Sequence, residues 1–85
     1  MAVGHILIGS ETGSERSIYA ALREIKEITD ARPVFGDDQY AIIAKVEVDD
    51  PDIRALWPVV ERIRKIPAIT ATKTLPGIPG YGAKT

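Results

Sequence analysis

His5 is the only histidine in the 85 residues, and histidine is the side chain whose charge changes most readily near neutral pH. It has no cysteine for company anywhere in the chain and no carboxylates at a spacing that would complete a metal site, so a structural or surface role is the simpler assignment. Carboxylates cluster twice, at Asp37 and Asp38 and again at Asp49, Asp50 and Asp52. Neither cluster follows the calcium-loop pattern. Beside Pro51 the second reads as helix capping, and after Gly36 the first reads as a solvated turn before it reads as a ligand site. Gly4, Gly9 and Gly13 lack the spacing of a dinucleotide fingerprint, no Gly-Lys-Ser/Thr phosphate loop is present, and Ser14 and Ser17 sit in no nucleophile motif. Thiol catalysis, disulfides and thiolate metal sites are excluded by the absence of cysteine. Nothing in this set assembles into a catalytic mechanism or calls for a cofactor or a metal.

The elements that would carry these residues repeat. Ile25-Lys26-Glu27-Ile28 and Ile63-Arg64-Lys65-Ile66 each end a helix-like stretch, at an offset of 38 residues (63 minus 25), and each is followed by a β-prone run. The first strand is expected over Val3 to Gly9, with Ile6 and Ile8 on one face and His5 and Leu7 on the other. Ser14 is the expected N-cap of a helix whose apolar face is Ile18, Ala21, Leu22, Ile25 and Ile28, with Glu15 near its positive end. Ala31 to Phe35 reads as the second strand, with Pro33 marking an edge. Gly36-Asp37-Asp38-Gln39 is a polar turn and Tyr40 to Val48 the third strand. The Asp49-Asp50-Pro51 signal opens a second helix with Ile53, Leu56, Trp57, Val60 and Ile63 inward, and Pro58 should kink it or restart it. Ile69 to Leu75 is the fourth strand.

Two strand–helix–strand units in one small domain give an α+β, ferredoxin-like βαββαβ fold, a four-stranded antiparallel sheet with two helices on one face. Residues 1–75 form that domain, and 76–85 form a tail too rich in Gly and Pro for regular structure, disordered or laid along a partner, with Ile78 and Tyr81 favouring docking. The helices leave the other face bare, although Leu7 and Ile43 would lie on it. A chain this short has a limited core, so a second copy packed on that face is the natural cover, giving a sheet-packed homodimer. Eleven basic residues against twelve acidic give a formal charge of −1, which disfavours direct DNA binding. The central strands also lack the aromatic residues with which this fold binds RNA, Tyr40 standing at one margin. No apolar run reaches membrane-span length and no signal peptide opens the chain, so a cytoplasmic protein is expected.

Three stretches together resemble the effector-binding domain of the leucine-responsive/asparagine regulator family (Lrp/AsnC), also called the RAM domain. They are His5 to Gly9 with the helix ending Ile25-Lys26-Glu27-Ile28; Val34-Phe35-Gly36, a polar turn and Tyr40 to Val48; and Ile63-Arg64-Lys65-Ile66-Pro67-Ala68-Ile69 continuing to Thr74. The resemblance covers Val3 to Leu75. Because the sequence starts at the first strand, it implies a stand-alone domain without the family's DNA-binding helix-turn-helix. It also implies dimers that can assemble into rings, with small effectors, typically amino acids, bound between dimers near the turn joining the second and third strands. On that basis Gly36, Asp38, Tyr40 and Ala41 from the turn, with Thr72 and Thr74 from the last strand, would line the effector site. Where the family has an aromatic–Asp pair this sequence has Tyr40 and Ala41, the turn is longer by its Asp37 and Asp38, and Ala68 stands where Gly is common.

The reading favoured by all of this is a ligand-sensing or transcription-modulating oligomer without catalysis, for which a full-length Lrp/AsnC regulator is a further partner. Two rivals share the strand order. One is a small dimeric α+β-barrel enzyme of the monooxygenase or isomerase type, with His5 or Tyr40 working inside the barrel. The other is an amino-acid-binding ACT domain. Polar equipment separates the first of these, since an enzyme needs convergent acid, base or cofactor groups.

Overall fold

In the computed structural model, which describes residues 1–76, the chain runs β1 (Ala2–Ser10), α1 (Glu15–Arg23), β2 (Ile28–Pro33), β3 (Ile42–Val48), a 3-10 turn (Ile53–Leu56), α2 (Trp57–Arg64) and β4 (Ile69–Pro76). The tail expected over residues 76–85 lies outside the described residues beyond Pro76. The four strands form one sheet in the order β2-β3-β1-β4, every neighbouring pair antiparallel. This is the ferredoxin-like α+β arrangement expected from the repeat.

Strand alternation decides which side of the sheet is covered. Ile6 and Ile8 of β1 pair with Ala44 and Ile42 of β3, and all four are fully buried. Ile18 and Leu22 of α1, Leu56, and Val59, Val60 and Ile63 of α2 complete that core. Burying side chains of this kind stabilises by about 1.5–3 kcal/mol each, and together they hold both helices on one face. On the opposite face the cross-strand rows read Asp30–Lys45–His5–Leu75 and Arg32–Ile43–Leu7–Lys73. His5, Leu7, Ile43 and Lys45 are half-buried there, and Leu75 is exposed.

Several boundaries differ from those expected. The first helix stops at Arg23, and Ile28 opens β2 instead of closing the helix. Successive turn bonds from Ile25 N–H to the Leu22 carbonyl and from Ile28 N–H to the Ile25 carbonyl, each 3.1 Å, keep a three-residue spacing after the helix has ended. A spacing of that kind is indistinguishable from a helical face in sequence. The same device follows α2, where Lys65 and Ile66 donate to the carbonyls of Arg62 and Ile63. The structural repeat therefore has an offset of 41 residues (64 minus 23 for the helix ends, 69 minus 28 for the strand starts) rather than 38.

The second strand is shifted as well. It ends at Pro33, and Phe35, expected within it, is 88% exposed in the following loop. The third strand begins at Ile42, two residues after Tyr40. Asp52, not Asp49 or Asp50, caps the 3-10 turn by accepting from Arg54 N–H at 2.9 Å, while Asp50 accepts from Asp52 N–H at 2.8 Å. The Pro58 restart is observed: α2 starts at Trp57, so the proline occupies the first turn, where its missing N–H costs nothing. Ile53 and Trp57 are not inward as expected but 40% and 50% exposed, and Val59 takes a core position instead. Ser14 stands at the N-cap without a side-chain capping bond; Glu15 accepts from Gly13 N–H there.

Candidate functional site

The loop from Val34 to Ala41 is held by a set of backbone and side-chain hydrogen bonds. Val34 N–H donates to the Ala41 carbonyl at 2.8 Å and closes the loop at its neck. Ala41 N–H in turn donates to the Ile8 carbonyl at 2.9 Å, which fastens the neck to β1. Gly36 takes a φ of +85°, in the region that a side chain disfavours, so the chain can reverse there. Asp37 then does the work of an internal cap: its Oδ1 accepts from Gln39 N–H and from Tyr40 N–H, both at 2.8 Å. Those two backbone donors, Tyr40's first, hold the Asp37 carboxyl below the usual aspartate range, with the Lys73 ammonium acting in the same direction.

The loop leans across β1 toward β4. A Cβ on Gly9 would lie 2.6 Å from the Gln39 carbonyl and 2.8 Å from the Thr70 hydroxyl, so only glycine lets the three segments meet. The register slips here, Gly9 pairing with Ala71 but Ser10 with Ile69, which leaves Thr70 as the extra residue of a bulge. Bulges of this type re-aim side chains at the rims of sheets.

The six residues expected to form a site are divided by this geometry. Gly36, Asp38, Tyr40 and Ala41 share the loop; Gly36 and Asp38 are exposed, and Tyr40 and Ala41 half-buried. Among the described residues the Asp38 carboxylate has no ion-pair or hydrogen-bond partner. Thr72 and Thr74 are in register with Ile8 and Ile6, the row that faces the helices. Thr72 Oγ1 accepts from Arg64 Nε at 3.1 Å, and Thr74 borders a groove along α2. The β4 residue that shares the space over Gly9 with the loop's Gln39 carbonyl is Thr70, the extra residue of the bulge. Of the other residues weighed for chemistry, His5 lies on the bare sheet face between Lys45 and Leu75. Among the described residues no three of His, Cys, Asp or Glu come together as a metal site, and no helix is long and apolar enough to cross a membrane.

A scan against models of protein families finds no match, and a search of curated proteins finds none either. Solved structures do match. FFRP-DM1 shares 33% identity with this chain over 92% of it and 100% of its own length, with a TM-score of 0.76. AsnC of E. coli shares 25% identity over 99% of this chain, at a TM-score of 0.77. The chain belongs to the Lrp/AsnC family. It corresponds to 55% of the length of AsnC, and to the whole of the smaller FFRP-DM1. A transcriptional regulator of Neisseria meningitidis, NMB0573, solved as a complex with L-Met, shares the fold at 8% identity and a TM-score of 0.75. The structural neighbours of this Lrp/AsnC domain are thus regulators and related small proteins, which points away from an enzyme.

Proposed function

We propose that this chain is a ligand-sensing and assembly domain of the Lrp/AsnC type, that its 36–41 loop binds a small effector with a cationic amino group, an amino acid being the first candidate, and that it modulates transcription through larger assemblies. The observation that carries the reading is the division of labour between the paired acids. Asp37 spends its carboxylate on holding the loop, while Asp38, next to it, is exposed and uncommitted on a loop that is itself fastened to β1. An ammonium group is the complement to such a carboxylate. The Thr70 hydroxyl, beside the loop, and the Lys73 ammonium, whose charge reaches Asp37, are donors for the carboxylate end of the same ligand. Ala41, where the family has Asp, offers neither contact, and Asp38 takes over that role. Tyr40 and Gly36 shape the loop around it, and Thr72 braces the far side of β4 through Arg64.

Effector binding between dimers requires dimers, and the face bearing Leu7 and Ile43 is the proposed dimer surface. L-Met bound by the Neisseria regulator of the same fold supports amino acids as the ligand class to test first. Calorimetry against a panel of amino acids, run on the wild type, Asp38→Asn and Asp37→Asn, tests the reading. A charged hydrogen bond lost at Asp38 is worth about 1.5–3 kcal/mol, a tenfold or greater loss of affinity. A ligand bound by the wild type and weakened less than about threefold by Asp38→Asn, below what one charged hydrogen bond supplies, refutes the assignment of Asp38. No binding of any amino acid at millimolar concentration leaves assembly as the domain's function.

A further inference from the structure

The helix side of the molecule carries an apolar groove that the sensing loop does not use. It is lined by Ile53, Arg54, Leu56, Trp57, Val60 and Thr74, and encloses about 510 Å³. Trp57 is half exposed in it, Ile53 is 40% exposed, and the Arg64 guanidinium lies 5.0 Å from the indole centroid, fixing the ring from one side. A partly exposed tryptophan held in place beside an exposed isoleucine is a surface arranged to receive something apolar.

The occupant is indicated by where the chain goes next. Thr74 borders the groove, and Thr74 and Pro76 hold register with Ile6 and Gly4, positions of the helix-facing row of β1. The 3-10 turn bearing Ile53 and Leu56 packs against that same strand. The described chain ends at Pro76, two residues past Thr74 at the lip of the groove, and residues 77–85 follow it in sequence. Their sequence, Gly-Ile-Pro-Gly-Tyr-Gly-Ala-Lys-Thr, holds two large apolar side chains, Ile78 and Tyr81. Ile78 is four residues beyond Thr74 and Tyr81 seven, about 13 Å and 23 Å of extended chain. The groove runs from Ile53 to Val60, roughly 12 Å of helix, so both side chains can reach it from their own chain.

We propose that this groove is the docking site for the chain's own carboxyl-terminal residues 77–85, with Ile78 and Tyr81 set against Ile53 and Trp57. A tethered segment has an effective concentration on the order of millimolar, so modest apolar contact suffices to hold it. The groove lies on the face opposite the proposed dimer surface, and it does not include the 36–41 loop, so tail docking and effector binding stand or fall separately.

Trp57 is the only tryptophan and reports on the groove directly. The measurement is its emission and its quenching by acrylamide in the ligand-free protein, for the full chain, for a chain ending at Pro76, and for the full-length Ile78→Ser/Tyr81→Ser variant, each checked for its fold by circular dichroism. The expected result is redder emission and stronger acrylamide quenching in both altered proteins than in the full chain, because the half of the Trp57 ring that the tail covers is then open to solvent. If truncation disturbs the fold, the double substitution carries the test. Equal emission and quenching in the full chain and the double variant overturn the proposal. Protection that disappears on dilution also overturns it, because the tail would then be supplied by another copy.

Discussion

The Gln39 carbonyl sits over Gly9 so closely that a Cβ at position 9 would be 2.6 Å from it. Two residues thirty positions apart are thus in backbone-to-backbone contact, and the contact fixes how the loop bearing Asp38 lies on the sheet. Gly9→Ala must push the loop or the Thr70 bulge aside. The expected cost is about 1–3 kcal/mol of stability, the usual range for overpacking, read as a lower midpoint in urea. An unchanged midpoint would show that the loop gives way freely.

Ala68 is the opposite case. It holds a φ of +74° in the turn between α2 and β4, while its carbonyl accepts from Glu11 N–H at 2.9 Å. The left-handed region costs a residue with a Cβ about 1–2 kcal/mol, and glycine's greater freedom in the unfolded chain returns part of that. Ala68→Gly should therefore stabilise the protein by up to about 1 kcal/mol. Thermal unfolding of the pair decides it, and a lower melting temperature for the glycine variant would contradict the conformational argument.

Glu27 and Arg62 approach to 2.7 Å and join the turn between α1 and β2 to α2. At that distance the guanidinium and the carboxylate form a charge-assisted pair. The Arg62 guanidinium, foremost, holds the Glu27 carboxyl below the usual glutamate range. A lowered folded-state value means that the stabilisation is fully present above the unfolded glutamate pKa and is lost as pH falls through the folded one. With Arg62 nearly half exposed, the pair is worth no more than about 1 kcal/mol. Asp37 and Asp52 are shifted the same way, so the slope of wild-type stability against pH in the acid range mixes all three. Glu27→Gln should flatten that slope and lower stability slightly at neutral pH, measured by urea denaturation at several pH values. A variant as pH-sensitive as the wild type would remove Glu27 from the account.

The bare sheet face places Leu7 beside Ile43, with Lys45, His5 and Lys73 around them. If this face is the proposed dimer surface, the purified chain should have at least twice the mass of a single chain by light scattering at micromolar concentration. Leu7→Asp should shift it toward the monomer, since a desolvated and unpaired carboxylate costs several kcal/mol. A wild type that scatters as a monomer would sink the dimer and any effector site between dimers.

Duplex DNA should not be bound specifically by this chain alone. Basic and acidic residues nearly balance, at eleven and twelve, and among the described residues neither helix exceeds nine residues or carries a one-sided basic stripe. Electrophoretic shifts that depend on sequence and survive physiological salt would prove this wrong.

The order of elements, the inward row of β1 and β3 and the Pro58 restart were legible in the chain because each depends on local periodicity or on one residue's stereochemistry. The helix ends were not. Ile25 and Ile28 keep helical spacing through two turns that no longer belong to a helix, and the 38-residue repeat stood in for a 41-residue one for that reason. The loop was recognisable from Gly36 and its paired acids, but not which acid was free. That depends on where the Gln39 and Tyr40 N–H groups point, and both point at Asp37. Thr72 and Thr74 entered the expected site through the family resemblance, and only the strand register shows that they share the helix-facing row with Ile8 and Ile6.

What the sequence determined by itself is the alternation of apolar and polar residues, and with it the four strands, the two helices and the side of the sheet they cover. Short-range sterics and the burial of every second or third side chain are sufficient for that. Which loop residue meets which strand was decided only by the tertiary structure. A missing Cβ at Gly9 lets the Gln39 carbonyl approach β1 beside the one-residue bulge at Thr70, and these segments are far apart in the chain. Such contacts leave no periodic trace in sequence, because their geometry exists only once the sheet has formed.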